Sequence, residues 1–111
     1  MRDDMAALSI ATEFSDAPGA RYRSDGEKSG EEFFETLLSP RFAEAVGRSE
    51  QLIVDLDGTW GYASSFLSES FGRLSREFGS EVVLKNLVLR SEEEPYLVDE
   101  IRRLIEDPDA R

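Results

Sequence analysis

Two carboxylates and two hydroxyls lie in one short stretch of this chain, from Leu52 to Phe66. Asp55 and Asp57 stand two positions apart at the end of an apolar run, and Gly58 and Thr59 follow them. Such a pair can divide the work of phosphoryl transfer, one as nucleophile and the other as general acid–base. That chemistry needs a magnesium ion and a lysine to offset the repulsion between two carboxylates and a phosphate dianion. Ser64 and Ser65 point to a different chemistry. A serine at the start of a helix lies where free amides and the positive end of the dipole can hold a phosphate. Phosphorylation there adds about −1.5 to −2 charges at pH 7. Trp60 and Tyr62, between the two pairs, are the residue types that anchor protein interfaces. Each group also has a purely structural use. Asp57-Gly58 is a common turn dipeptide, either serine can be an N-cap worth about 1 kcal/mol, and one of the aromatics can cover the sheet edge.

Composition narrows these options. The chain has 111 residues, the size of one domain, with residues 1–5 expected to be disordered and 106–111 to form a tail. It has no cysteine and no histidine, so thiol chemistry, disulfides, thiolate metal sites and the commonest general base are excluded. No cofactor and no metal are expected. Thirteen basic against 24 acidic residues give a formal charge of −11. That field repels nucleic acid and the anionic leaflet of a membrane, and it favours solubility or a basic protein partner. No apolar run reaches the roughly 18 residues of a membrane span, and the N-terminus carries no export-signal pattern. A cytoplasmic location is expected.

The elements that would position these groups follow from periodicity. Residues 7–14 alternate, with Leu8, Ile10, Thr12 and Phe14 on one face, and read as a half-buried strand. After the Pro18-Gly19 turn signal, residues 21–23 read as a return strand whose arginines are solvated edge charges or bridge to the acidic loop at Glu92 to Glu94. Ser29 to Glu32 has the spacing of a capping box. Phe33, Phe34, Leu37 and Leu38 continue at helical spacing, and Ser39-Pro40 restarts the pattern up to Gly47 as two helical pieces or one kinked helix. Residues 51–56 read as a central strand buried on both faces. A helix capped by Ser64 or Ser65 then runs to Gly79 with Phe66, Leu67, Phe71, Leu74 and Phe78 on its apolar stripe. Residues 81–89 read as another strand. Pro95 fits the first position of a last helix carrying Leu97, Ile101, Leu104 and Ile105. The predicted fold class is α/β, a mixed four- to five-stranded sheet with helices packed against it.

Two resemblances attach to the central stretch. Asp55-Leu56-Asp57-Gly58-Thr59 resembles the nucleophile loop of haloacid-dehalogenase-type phosphatases, which implies Asp55 as nucleophile and Asp57 as acid–base. That family adds a later lysine and a further acidic pair. Here Lys85 is the one lysine after the motif, and Asp107 and Asp109 flank Pro108 near the end.

The same stretch resembles, more extensively, the STAS-like domain family of unknown function, itself related to bacterial anti-sigma factor antagonists. The residues that carry the resemblance are Pro18, Gly19, Arg21, Ser29 to Phe33, Leu37 to Pro40, Asp55 to Thr59, Gly61 to Leu67, Glu69, Phe71 and Gly72. It implies a STAS-like fold and a non-enzymatic regulatory role in signalling through protein contact. In the antagonists a partner kinase phosphorylates the first serine of an Asp-Ser-Ser-Gly loop. That loop falls here on Ala63-Ser64-Ser65-Phe66, so the serines match while Ala63 and Phe66 replace the flanking Asp and Gly. The resemblance makes Ser64 and Ser65 the candidate phosphorylation sites and a histidine-kinase-superfamily ATPase or kinase the candidate partner. Trp60, Tyr62, Ser68 and Glu69 are the candidate docking residues. The small magnesium-dependent phosphatase using Asp55 and Asp57 is the alternative.

Overall fold

A computed structural model of the chain describes residues 5–109. Its elements, in order, are β1 (Met5–Ser9), α1 (Ile10–Glu13), a 3-10 turn (Arg23–Asp25), α2 (Gly30–Phe33), a π turn (Phe34–Leu38) and α3 (Ser39–Gly47). β2 (Gln51–Asp55), α4 (Ser64–Leu67), a second π turn (Ser68–Gly72), α5 (Arg73–Phe78), α6 (Ser80–Asn86), β3 (Leu87–Arg90) and α7 (Tyr96–Glu106) follow. Of the terminal expectations, Met5 already belongs to β1, whereas residues 1–4, 110 and 111 lie outside the described residues.

The sheet has three strands in the order β1-β2-β3, and both pairings are parallel. This corrects the expected mixed sheet of four to five strands. Ser9 accepts from the Thr12 N–H through its hydroxyl, and its own N–H donates to Glu13 Oε2. That local cap turns the alternating run into a helix at Ile10, so the expected strand ends at Ser9. The opening hairpin is absent as well. Residues 21–23 form no strand, and β1 pairs instead with β2, with Leu8 opposite Val54. The expected strand over 81–89 divides into α6 and β3. Val83 and Leu87 are one helical turn apart and both buried, while Val82 and Leu84 are exposed, a pattern that short apolar runs leave ambiguous.

Residues 30–47 form one continuous helix. Ser29 is its N-cap, accepting from the Glu32 N–H at 3.0 Å. Pro40 does not start a new helix. Lacking an N–H and crowding the carbonyl four residues back, it sits just beyond a π turn in which the Ser39 N–H reaches the Phe34 carbonyl. Residues 64–78 form the second long helix, widened where Ser70 is fully buried and its hydroxyl donates to the Phe66 carbonyl at 2.7 Å. Gly79, at φ 94°, ends it. The two helices approach closely at Gly30, where a Cβ would lie 2.7 Å from the Phe66 carbonyl oxygen.

Leu8, Leu52, Val54 and Leu87 share one face of the sheet by register and join the core with Phe33, Phe42, Phe66, Phe71, Leu97 and Ile101. On the opposite face, Ala7 is exposed and Val88 half-buried. No helix among the described residues is long and apolar enough to cross a membrane.

Candidate functional site

β2 delivers the central motif to the carboxyl end of the sheet, and the loops there hold it in place. Leu56 is buried and its N–H donates to the Arg90 carbonyl at 2.8 Å, extending the β2–β3 contact past the strand. Asp55 Oδ1 accepts from the Asp57 N–H at 3.0 Å, which bends the chain into an Asx turn. The Asp57 carboxylate accepts from the Glu92 N–H at 3.0 Å and from the Glu93 N–H at 2.9 Å. In return the Gly58 N–H donates to Glu93 Oε1 at 2.9 Å. Gly58 has φ 92°, and a Cβ there would meet the Ala11 side chain at 3.0 Å, so glycine serves both conformation and space. Of the two motif carboxylates, Asp55 shapes the bend, and Asp57, together with Glu93, joins the loop after β2 to the loop after β3.

The other elements of phosphatase chemistry do not assemble around this pair. The Lys85 carbonyl accepts from the Gln51 side chain, which places Lys85 beside the first residue of β2, at the end of the strand away from Asp55. Asp109 pairs with Arg76 at 3.5 Å, beyond the C-terminal end of α7. Among the described residues no group of three or more acidic side chains is disposed to hold a metal ion.

The aromatics divide into one structural and one presented residue. Tyr62 is half-buried, donates from its hydroxyl to the Leu56 carbonyl at 2.8 Å, and lies 5.9 Å from the Phe66 ring. Burial, with the carboxylates of Asp55, Asp57 and Glu94 nearby, pushes its phenol up to about 12. Among the described residues Trp60 is held by its backbone, its N–H donating to the Asp16 carbonyl at 2.8 Å. The residue is 88% exposed.

Ser64 is exposed and Ser65 half-buried. Neither caps the helix, which corrects the expectation that Ser64 or Ser65 would. Ala63 occupies the N-cap in an extended conformation and supplies no side-chain bond, so the Ser64 hydroxyl stands at an uncapped helix start. Ser68 is half-buried. Glu69 is only 8% exposed, with its carboxylate 3.3 Å from Arg73 and 3.8 Å from Arg21. It faces inward to these cations and offers little to a visitor. Sequence reasoning missed this network. Arg73 also reaches Glu35 and Glu77 and lies 4.5 Å from the Phe34 ring centroid, and Arg23 pairs with Glu35. Arg21 and Arg23 are therefore not strand-edge charges: Arg21 pairs with the helix of Glu69 and Arg23 with that of Glu35, while Arg73 joins the two helices. The i, i+4 spacing of Glu69, Arg73 and Glu77 was the available signal.

A protein-family model matches residues 29–97, more than half of the chain, and describes a STAS-like domain of unknown function. The chain belongs to that family. No curated protein and no solved structure matches it.

Proposed function

We propose that this chain is a regulatory protein-interaction domain without enzymatic activity, which docks a partner through the loop and helix start at residues 60–68. One observation carries the reading. The Asp57 carboxylate is engaged by two backbone N–H groups of its own chain, whereas the side chains that the same loop presents to solvent are those of Trp60 and Ser64. The strand order supports it. In an open parallel sheet, ligand crevices form where the order of strands reverses, and β1-β2-β3 never reverses. Geometry lends no weight to the phosphatase alternative.

The proposal extends to a switch of the kind found in anti-sigma factor antagonists. A phosphate on Ser64 would be held by the free amides and positive dipole end of a 15-residue helix start spanning residues 64–78. Its bulk and charge on a flush docking surface weaken binding without unfolding the domain. By family resemblance the partner is a histidine-kinase-superfamily ATPase or kinase, acting in the cytoplasm. The test is incubation of the chain with ATP and the kinase encoded beside it, followed by mapping of phosphate by mass spectrometry. Modification at Ser64 is expected. Its absence at both Ser64 and Ser65 with every such kinase removes the switch, and unchanged partner binding by Trp60→Ala removes the docking surface.

A further inference from the structure

Trp60 is the most exposed large apolar residue among those described, and it stands at the end of the sheet where the three parallel strands finish. Its neighbours show what kind of group can cover it. The Trp60 N–H bonds the Asp16 carbonyl, and the N–H of Gly58, two residues earlier, bonds Glu93 Oε1. The loops that meet here bring Asp16, Asp55, Asp57, Glu92, Glu93 and Glu94 to the same end as one tryptophan. Asp16 and Glu92 are exposed, and their carboxylates form no hydrogen bond or ion pair among the described residues. Two cations share this end. Arg90 is in register with Asp55, on the sheet face away from the helices, and the Lys28 ammonium lies 5.3 Å from the Phe14 ring centroid. They leave an excess of negative charge. The Tyr62 phenol, raised first by burial, is raised further by Asp55, Asp57 and Glu94, so the same field acts inside the loop.

We propose that the partner of this loop surface presents a basic patch, with an arginine seated on the Trp60 ring and neighbouring cations facing Asp16 and Glu92. This rests on the docking surface proposed above and names the chemistry of its occupant. Tryptophan is the best cation–π acceptor among the aromatic side chains, and arginine is the cation most often found on one. Carboxylates around the ring favour the same charge and suppress partners of the opposite kind. The field of a chain with formal charge −11 steers a basic partner inward. A phosphate on Ser64, whose charge the helix amides take up, opposes this partner by its bulk.

Other occupants match fewer of these features. The carboxylates are spread over three loops, and among the described residues no three acidic groups could hold a metal ion. Nucleic acid meets the same repelling field. A second copy offers no basic patch among its described residues. Its Lys85, Arg102 and Arg103 each stand one helical turn from an acid, Glu81, Glu106 and Asp99, and Arg21, Arg23, Arg41, Arg48, Arg73 and Arg76 are already in ion pairs.

Trp60 is the one tryptophan of the chain, so its emission reads the contact directly. The probe is nona-arginine, titrated into the intact chain at about 0.15 M salt, where the screening length is about 8 Å. A saturable change in emission is expected, with weaker binding of nona-lysine and none of nona-glutamate. Anisotropy of labelled nona-arginine is expected to show affinity lower by about three- to fivefold in Trp60→Ala. The combined Asp16→Asn and Glu92→Gln variant, at exposed positions without side-chain partners, is expected to lose about fivefold. The combined Glu81→Gln and Glu106→Gln variant removes as much charge near Ser80 and Ile105, at the other end of the strands, and is expected to change affinity by less than about twofold. Unchanged emission, equal losses from the two carboxylate pairs, or full affinity in Trp60→Ala overturns the proposal. So does a dimer on light scattering that Trp60→Ala abolishes. The docking surface itself is judged separately. A captured partner that is lost with Trp60→Ala but ignores Asp16→Asn with Glu92→Gln leaves that surface standing and overturns its cationic occupant.

Discussion

Asp57 is the side chain on which the two readings of the central motif can be tested against each other. Its carboxylate accepts from the Glu92 and Glu93 amides, residues 35 and 36 positions away in the chain. Hydrogen bonds to a charged group are worth about 1.5–3 kcal/mol, so Asp57→Ala is expected to lower the urea unfolding free energy by about 2–3 kcal/mol. A phosphatase nucleophile or acid–base residue would behave differently, losing activity with little loss of stability. Tyr62 gives a pH signature. Its phenol is raised to about 12 in the fold, against about 10 in an unfolded chain. The unfolded state therefore deprotonates first as pH rises. The stability this contributes is complete below pH 10 and is lost as pH rises toward 12. Denaturant midpoints measured across that window are expected to fall for the natural chain and to fall less for Tyr62→Phe. An equal slope in both would show that the phenol does not titrate as its burial requires.

At the scale of elements, the site depends on how the two long helices meet. Gly30 allows the close crossing at Phe66, where a Cβ would come within 2.7 Å of a backbone oxygen. Backbone cannot yield as a flexible side chain can, so Gly30→Ala is expected to cost about 1–3 kcal/mol in a thermal or denaturant melt, the range of overpacked cores. Ser29, one residue earlier, is fully buried and caps the same helix. Ser29→Ala is expected to cost about 1 kcal/mol. The helix starting at Ser64 offers the contrast. It has no side-chain cap, and Ser64→Ala is expected to leave the melt within about 0.5 kcal/mol of the natural chain while removing the phosphate acceptor. A large loss at Ser64 would show that its hydroxyl does structural work.

At the scale of the whole molecule, charge and exposure govern behaviour. A formal charge of −11 on 111 residues repels itself, and added salt screens that repulsion, with a screening length of about 10 Å at 0.1 M. The melting temperature is therefore expected to rise as sodium chloride is increased from low to moderate concentration, as read by calorimetry. A flat response would mean that the ion pairs lost to screening match the repulsion relieved. Trp60, exposed at the end of the sheet where the loops gather, contributes little to that melt. Its replacement by alanine is expected to change stability by less than about 0.5 kcal/mol while it abolishes partner capture.

Much of the molecule could be read from the chain itself, wherever local chemistry decided the outcome. The apolar run ending at Asp55 is a strand because its side chains suit burial on both faces. The Ser29 cap, the Gly79 stop and the final amphipathic helix follow from groups within a turn or two of each other. The family resemblance began at Pro18 and had its specific block from Asp55 to Gly72; the family match at residues 29–97 contains that block and leaves out Pro18, Gly19 and Arg21. Tertiary structure decided what depends on distant neighbours. It set the parallel pairing of β1 with β2, which no local turn dictates, and the division of residues 80–90 between helix and strand, where periodicity alone is ambiguous. It also directed Asp57 toward amides of a later loop and turned Glu69 inward to Arg21 and Arg73. A sequence displays which groups can donate, accept or hide from water; which of them meet is settled only when strands and helices from far along the chain pack against one another.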